Sequence, residues 1–204
     1  MSLFTSPDER GKGYARYLID DAKRYFVALQ VPYLEGNASL ALKYAQCHGF
    51  ELNHAEYRMS CTQCISCSSS LTFQRVTKEL GPVFVSLSAE AFGETEESYL
   101  GFVDKGLESA THQLYLARKG SEAIGTFILT EEGDDQLGIY CLSVRKSLWG
   151  QGLGRAVLSY ATEEILKQGK SAVLDVDIVN ERALGLYLSV GYKSQYEFKY
   201  FLVK

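Results

Sequence analysis

The stretch Trp149-Gly150-Gln151-Gly152-Leu153-Gly154-Arg155-Ala156 places three glycines within five positions, directly ahead of the helix-forming segment VLSYATEEILKQG. Glycine inside a helix costs ~1 kcal/mol relative to alanine, so three at its mouth belong to a specialised turn. The first turn of a helix leaves about four N–H groups unbonded and carries the positive end of the helix dipole. It can therefore hold an anion without a charged side chain. Glycine admits the backbone dihedrals such a turn needs and lets a phosphate approach without meeting a Cβ. A tight strand-to-helix turn alone would need only one glycine. The Lys-Ser/Thr of a P-loop is missing, and the G-x-G-x-G spacing differs from the G-x-G-x-x-G of dinucleotide-binding folds.

Reading outward, the turn follows an apolar strand, LGIYCLSV (137–144), and precedes a helix to about Gln168. Next come a strand AVLDVDIV (172–179), a short helix NERALGLYLSVGY closing on Gly191, and a terminal strand EFKYFLVK. Upstream, the pattern predicts a strand LTFQRVT, a helical pair (VFVSLSAEAF and EESYLGFVDKGLES) and two strands joined by turns, QLYLARKG and AIGTFILTEEGDD. A shorter copy of the same order occupies the N-terminal part: RGKGYA from Arg10, a helix to about Tyr25, a strand FVALQV, NASLALKYAQCHGF and a strand AEYRMSC. Asn37 and Tyr44 repeat the spacing of Asn180 and Tyr187. The copy reads as the second half of a domain without its first four strands. The boundary falls in CTQCISCSSS (61–70), giving a partial domain at 1–65 and a complete one at 66–204.

Composition narrows the classes of function. With 204 residues, 46% of them hydrophobic, the chain can bury a substantial core. The net charge of −4 is spread without a basic patch, which argues against nucleic acid as a partner. No run reaches the ~20 apolar residues of a membrane span, and the N-terminus lacks the features of a signal peptide, so a cytoplasmic location is expected. Five cysteines, an odd number, fit a reducing compartment.

The order strand, (Gln/Arg)-x-x-Gly-x-(Gly/Ala), helix, strand, Asn-x-x-Ala-x-x-Leu-Tyr-x-x-x-Gly-(Phe/Tyr) resembles the GNAT N-acetyltransferase superfamily. In motif layout it is most similar to the ribosomal-protein N-terminal alanine acetyltransferases. The resemblance implies an α/β fold with a mixed, mostly antiparallel twisted sheet flanked by helices, here with an N-terminal partial repeat. It also implies acetyl-CoA as co-substrate, lying between strands 137–144 and 172–179, whose ends splay apart. The pyrophosphate would meet Gly150, Gln151, Gly152, Leu153, Gly154 and Arg155. The pantetheine arm would pair with Leu142, Ser143 and Val144. Asn180 would bind CoA, cap the following helix, or do both. One departure stands out: Trp149 occupies a position where the family usually carries Gln or Arg, while the N-terminal copy keeps Arg10, Gly13 and Ala15 in register.

Acetyl transfer by direct attack needs a neutral amine, a polarised thioester carbonyl and a proton for the departing thiolate. Tyr187 falls at the family's tyrosine general acid, although LGLYLSV also accommodates it as a core aromatic. The common base position falls near Gly138, which has no side chain to serve. The alanine acetyltransferases place a glutamate five residues before the motif asparagine, and Asp175 stands there. Alternation in LDVDIV turns it away from Leu174, Val176 and Ile178. Asp175 is then either the base, acting through water, or the polar side of a half-buried strand. In the N-terminal copy the same position is Pro32, so that copy is expected to be non-catalytic, with a sheet edge paired to the C-terminal domain or to another chain, as in a homodimer. The acceptor amine, small-molecule or peptide, would enter beside the helical pair at 82–109. The acidic run Glu131, Glu132, Asp134 and Asp135 is either solvated or attracts a cationic acceptor.

Cys61, Cys64 and Cys67 resemble half of a metal motif, but Cys47, His48 and His54 lack the spacing to complete it. Small apolar strand residues around a linker are the simpler account, and no metal is expected. His112 has no evident partner. The alternative to an enzyme is a non-catalytic CoA-binding or scaffold protein of the same fold.

Overall fold

The computed structural model describes residues 6–22, 28–33 and 50–202. The chain divides into two compact units, Met1–Tyr57 with Tyr196–Lys204, and Arg58–Gln195. In the first unit, helix α1 (Tyr14–Ala22) follows Gly11 and Gly13, and strand β1 (Ala28–Tyr33) pairs antiparallel with β8 (Lys193–Leu202), from Ala28↔Leu202 to Tyr33↔Glu197. Strand β2 (Glu51–Cys61) begins in this unit and ends in the other. Within the first unit the His54 ring stacks on Tyr200 at 4.2 Å, and the Tyr200 hydroxyl donates to Glu56 at 2.8 Å. Asn37, Tyr44, Cys47 and His48 lie outside the described residues.

The second unit is built on five strands in the order β3-β4-β5-β6-β7: β3 (Thr72–Arg75), β4 (His112–Lys119), β5 (Glu122–Glu131), β6 (Gln136–Val144) and β7 (Ser171–Asp177). The first four run antiparallel and β7 joins β6 in parallel, which makes the expected mixed, mostly antiparallel sheet. Ile124 to Leu129 of β5 are wholly buried, so both faces of this strand meet apolar layers. On one face, helices α2 (Gly81–Phe92) and α3 (Glu96–Glu108) bring Phe84, Val85 and Val103 onto Leu114, Leu116 and Ile128. On the other, Phe127 packs edge-on to Phe73 and Tyr160, which stack on each other at 3.7 Å. Tyr160 belongs to helix α4 (Leu153–Leu166), whose Val157, Leu158, Ala161 and Ile165 are fully buried. Their i, i+1, i+4, i+8 spacing is that of one helical stripe.

Helix α5 (Glu181–Val190) is held between two local signals. Asn180 Oδ1 accepts from the Ala183 N–H at 3.1 Å, and Gly191 ends the helix in the left-handed conformation at φ 105°, as the sequence predicts. Strand β7 stops at Asp177, short of the predicted Val179. There the Asp177 carboxylate accepts from the Val179 N–H at 3.0 Å, and its carbonyl accepts from the Asn180 N–H. This local turn outcompetes further strand, and Val179 is left exposed.

Tyr192, fully buried just after α5, bonds through its hydroxyl to Thr162 Oγ1 at 2.8 Å. Thr162 also donates to the Leu158 carbonyl, so loss of the tyrosine hydroxyl leaves it partnered. We expect Tyr192→Phe to cost only about 1 kcal/mol and Tyr192→Ala about 3–5 kcal/mol, with denaturant midpoints as the measurement. Equal losses would show that the hydroxyl, rather than the ring, anchors α5.

Candidate functional site

The parallel pairing of β6 and β7 runs from Gln136↔Ser171 to Gly138↔Val173 and stops, although β6 continues to Val144 and β7 to Asp177. The cause is visible on the other side of β6. Thr126 pairs with Ser143 but Ile128 with Tyr140, so Cys141 and Leu142 together oppose Phe127 in a β-bulge, and Cys141 takes φ 48°. A bulge bends its strand and re-aims it. The two strands no longer pair after Gly138, three residues ahead of the bulge, and a cleft of about 420 Å³ opens near the end of β6.

Below the cleft the glycine turn adopts the conformation its sequence demands. Gly150 and Gly152 lie at φ 81° and 75°, where a side chain would be strained. No side chain caps α4, and the first bond back into it is Ala156 N–H to the Gly152 carbonyl at 3.2 Å. The N–H groups of Leu153, Gly154 and Arg155 are therefore free of intrahelical partners. Leu142, Ser143, Val144, Gly150, Gly152, Leu153, Gly154, Arg155, Asn180 and Tyr187 all line this cleft, and Gln151 does not. Asn180 realises its capping role and also faces the cleft.

The cleft has its own electrostatic character. Among the described residues no Asp or Glu lines it, whereas Arg155 and Arg182 do. Arg155 donates to the Ser189 carbonyl at 3.2 Å and has a buried Nε without a partner. The Arg182 guanidinium sits 3.7 Å above the Trp149 ring, and the Trp149 indole N–H donates to the Val144 carbonyl at 2.6 Å. Neither arginine forms an ion pair among the described residues. Arg182 is thus a site residue that sequence reasoning missed, since nothing in N-E-R-A marks its arginine as a stacking partner, and Trp149, read from sequence only as a departure from the motif, is its platform.

Tyr187 also faces the cleft, and its hydroxyl has no hydrogen-bond partner among the described residues. Burial pushes its pKa up to about 12, which keeps the phenol protonated at neutral pH.

Asp175, the sequence candidate for the base, is placed differently. It does not line the cleft, and both its oxygens accept from Arg58, at 2.6 Å from Nε and 2.7 Å from Nη2. Arg58 Nη1 donates to Glu132, whose other oxygen accepts from the Tyr140 hydroxyl. The Glu132 carboxylate occupies space that a Cβ on Gly138 would fill, 2.5 Å from its ideal position. Glu132 is therefore neither solvated nor free, unlike the hairpin run read from sequence. Burial opposes the Arg58 charge, but the bonds to Asp175 and Glu132 outweigh it and raise its pKa further. In this arrangement both oxygens of Asp175 are held by Arg58, away from the cleft lining.

Cys61, Cys64 and Cys67 are free thiols. Burial pushes Cys64 up to about 11, and its Sγ lies 3.8 Å from the Ser159 carbonyl oxygen. Among the described residues no three His, Cys, Asp or Glu side chains converge as a metal site, and no helix is long and apolar enough to cross a membrane.

Residues 76–192, more than half of the chain, match the family model described as the acetyltransferase (GNAT) family. The chain belongs to this family. No curated protein matches it. Among solved structures it is similar to a GNAT-family acetyltransferase from Colwellia psychrerythraea, with 15% identity, TM-score 0.73, and coverage of 100% of this chain and 76% of that one. A tandem GNAT protein from the clavulanic acid biosynthesis pathway has 12% identity, TM-score 0.74, and coverage of 98% and 72%. AAC(6′)-Iy, solved with the bisubstrate analogue CoA-S-monomethyl-acetylneamine, has 12% identity, TM-score 0.54, and coverage of 62% and 92%. At these identities the likeness establishes the fold. Family and fold together support acetyl transfer as the general reaction class.

Because the Tyr187 pKa is raised from 10.0 to about 12, the folded state holds this proton more tightly than the unfolded state. Its contribution to stability is full below pH 10 and is lost as pH rises through about 12. Tyr187→Phe should lose stability less steeply than wild type across that window in denaturant titrations. Parallel curves would show that the phenol is solvated.

Proposed function

We propose that the protein transfers an acetyl group from acetyl-CoA to a primary amine by direct attack, without an acyl-enzyme. The observation that carries this reading is the cleft itself. It has open helix N–H groups, two arginines without an ion pair and a protonated tyrosine, and no carboxylate among the described residues of its walls. In a chain of net charge −4, such a cleft suits an anionic ligand that also has a long neutral arm. Bound there, acetyl-CoA would supply an activated thioester. Leu153, Gly154 and Arg155 would donate to its pyrophosphate, and the edge of β6 that β7 leaves unpaired, at Leu142–Val144, would bond its pantetheine amides. The Tyr187 hydroxyl would donate its proton to the departing sulfur. The attacking amine must also lose a proton as its nitrogen bonds the acetyl carbon. We assign that proton to Asp175 through water, after one of its bonds to Arg58 gives way.

The likeness of motif layout to ribosomal-protein alanine acetyltransferases favours an N-terminal amine as acceptor, and a soluble cytoplasmic setting goes with this reading. The N-terminal region is proposed as a partial repeat, 1–65, beside a complete domain at 66–204. Gly11 and Gly13 lie at φ 80° and 86° with a helix starting at Tyr14, as Gly150 and Gly152 precede Leu153. The similarity to a tandem GNAT protein across 98% of the chain supports the same reading. A homodimer would be one way to complete its sheet edge. The double hold of Arg58 on Asp175 favours one alternative, a CoA-binding protein without turnover.

Thermal unfolding with and without acetyl-CoA, combined with thiol release in the presence of pooled amines, separates these readings. At one hundred times Kd the ligand should stabilise by about 2.7 kcal/mol, raising the midpoint by roughly 5–10 °C for a chain of this size. Thiol release alongside the shift supports the enzyme, and a shift alone supports the binding protein. Absence of a shift overturns both. In the enzyme, Tyr187→Phe should lower kcat by ~10²-fold. Asp175→Asn should lower it by ~10- to 100-fold with partial recovery at higher pH.

A further inference from the structure

Trp149 is the only tryptophan of the chain and stands immediately before the glycine turn, with 44% of its surface exposed. Its N–H bond to the Val144 carbonyl fixes the ring plane, and one face of the ring carries the Arg182 guanidinium at 3.7 Å. An arginine held by an ion pair has its charge largely neutralised. One held over an indole keeps its full charge and its fork of N–H donors, already oriented. Arg182 is in the second state, on the wall of a cleft that also holds Gly150, Gly152 and Arg155 and no acidic group. The ring is 44% exposed, and it supports a cation that forms no ion pair among the described residues.

On the reading that the cleft holds CoA, we infer that Trp149 and Arg182 form a phosphate clamp in which the indole positions the guanidinium and Arg182 donates a forked pair of hydrogen bonds to a CoA phosphate. The clamp supplies a side-chain cation beside a turn whose own donors are backbone N–H groups. Arg182 leaves from the first turn of α5 and Trp149 from the start of the glycine turn, so the clamp draws the two banks of the cleft together across the ligand. CoA carries phosphate in two places, the diphosphate bridge and the ribose 3′-phosphate. The guanidinium chemistry is the same for both, so the probes must separate them.

The test is calorimetric titration of the full chain with CoA, 3′-dephospho-CoA and pantetheine, for wild type, Arg182→Ala, Arg182→Lys and Trp149→Leu. Trp149 fluorescence provides an independent readout in the first three proteins. Unliganded melting points serve as the folding control. Arg182→Ala should weaken CoA binding about tenfold or more and flatten its dependence on salt, while pantetheine binding stays unchanged. Arg182→Lys should recover part of the loss, and Trp149→Leu should weaken CoA in the same direction. A loss for CoA but not dephospho-CoA assigns the clamp to the 3′-phosphate, and equal losses assign it to the diphosphate. CoA binding by Arg182→Ala with wild-type affinity and salt dependence overturns the clamp and leaves the proposed function standing. So does an equal loss of pantetheine, which would make Arg182 a shaping residue. Failure of wild type to bind CoA overturns both.

Discussion

Two parallel strands stop bonding to each other after Gly138↔Val173, and the site depends on that interruption. Buried backbone N–H and C=O groups normally find partners, so strands that part in mid-length require a structural cause and a use for the freed groups. The cause is the extra residue at Cys141–Leu142, held by β5 on its far side, where Thr126 Oγ1 donates to the Cys141 carbonyl at 2.9 Å. The use is a cleft whose walls are backbone as much as side chain. The rigid core beneath it, with Phe127 and Ile128 buried on opposite faces of β5, keeps the opening from collapsing.

Much of this architecture was legible in the sequence because it rests on local signals. Glycine at 150, 152 and 191 permits the positive φ observed there, Asn180 caps, and the apolar run of β5 and the stripe of α4 set the layers. The positions from Leu142 to Arg155 assigned to the cofactor, apart from Gln151, fall on one cleft for the same reason: they lie on adjoining strand, turn and helix, and their spacing fixes their geometry. What was not legible is long-range. The bulge at Cys141 has no residue signature, since a cysteine there reads as one more apolar strand residue. The Arg58 bond to Asp175 spans 117 positions, and the Glu132 carboxylate reaches into the space above Gly138. Each depends on tertiary packing, which periodicity does not report. The end of β7 was misjudged because the apolar Ile178 and Val179 outweighed the turn chemistry of Asp177 and Asn180.

Charge in this chain is sorted by location. The carboxylates at the splay, Glu132 and Asp175, share Arg58 and lie off the cleft wall, while Arg155 and Arg182 face the cleft without acidic neighbours on its lining. A partly buried guanidinium between two carboxylates is weak evidence for stability, because desolvation offsets much of the attraction. Its clearer effect is to hold two carboxylates in fixed positions with their charge offset.

The guanidinium in that trio comes from β2, upstream of the Ser/Cys-rich stretch, whereas both carboxylates come from downstream of it. A gene fragment beginning in that stretch would inherit two neighbouring negative charges and leave their shared counter-ion behind. The compact unit that carries the cleft begins at Arg58, so this counter-ion belongs with the carboxylates it neutralises although it precedes the Ser/Cys-rich stretch.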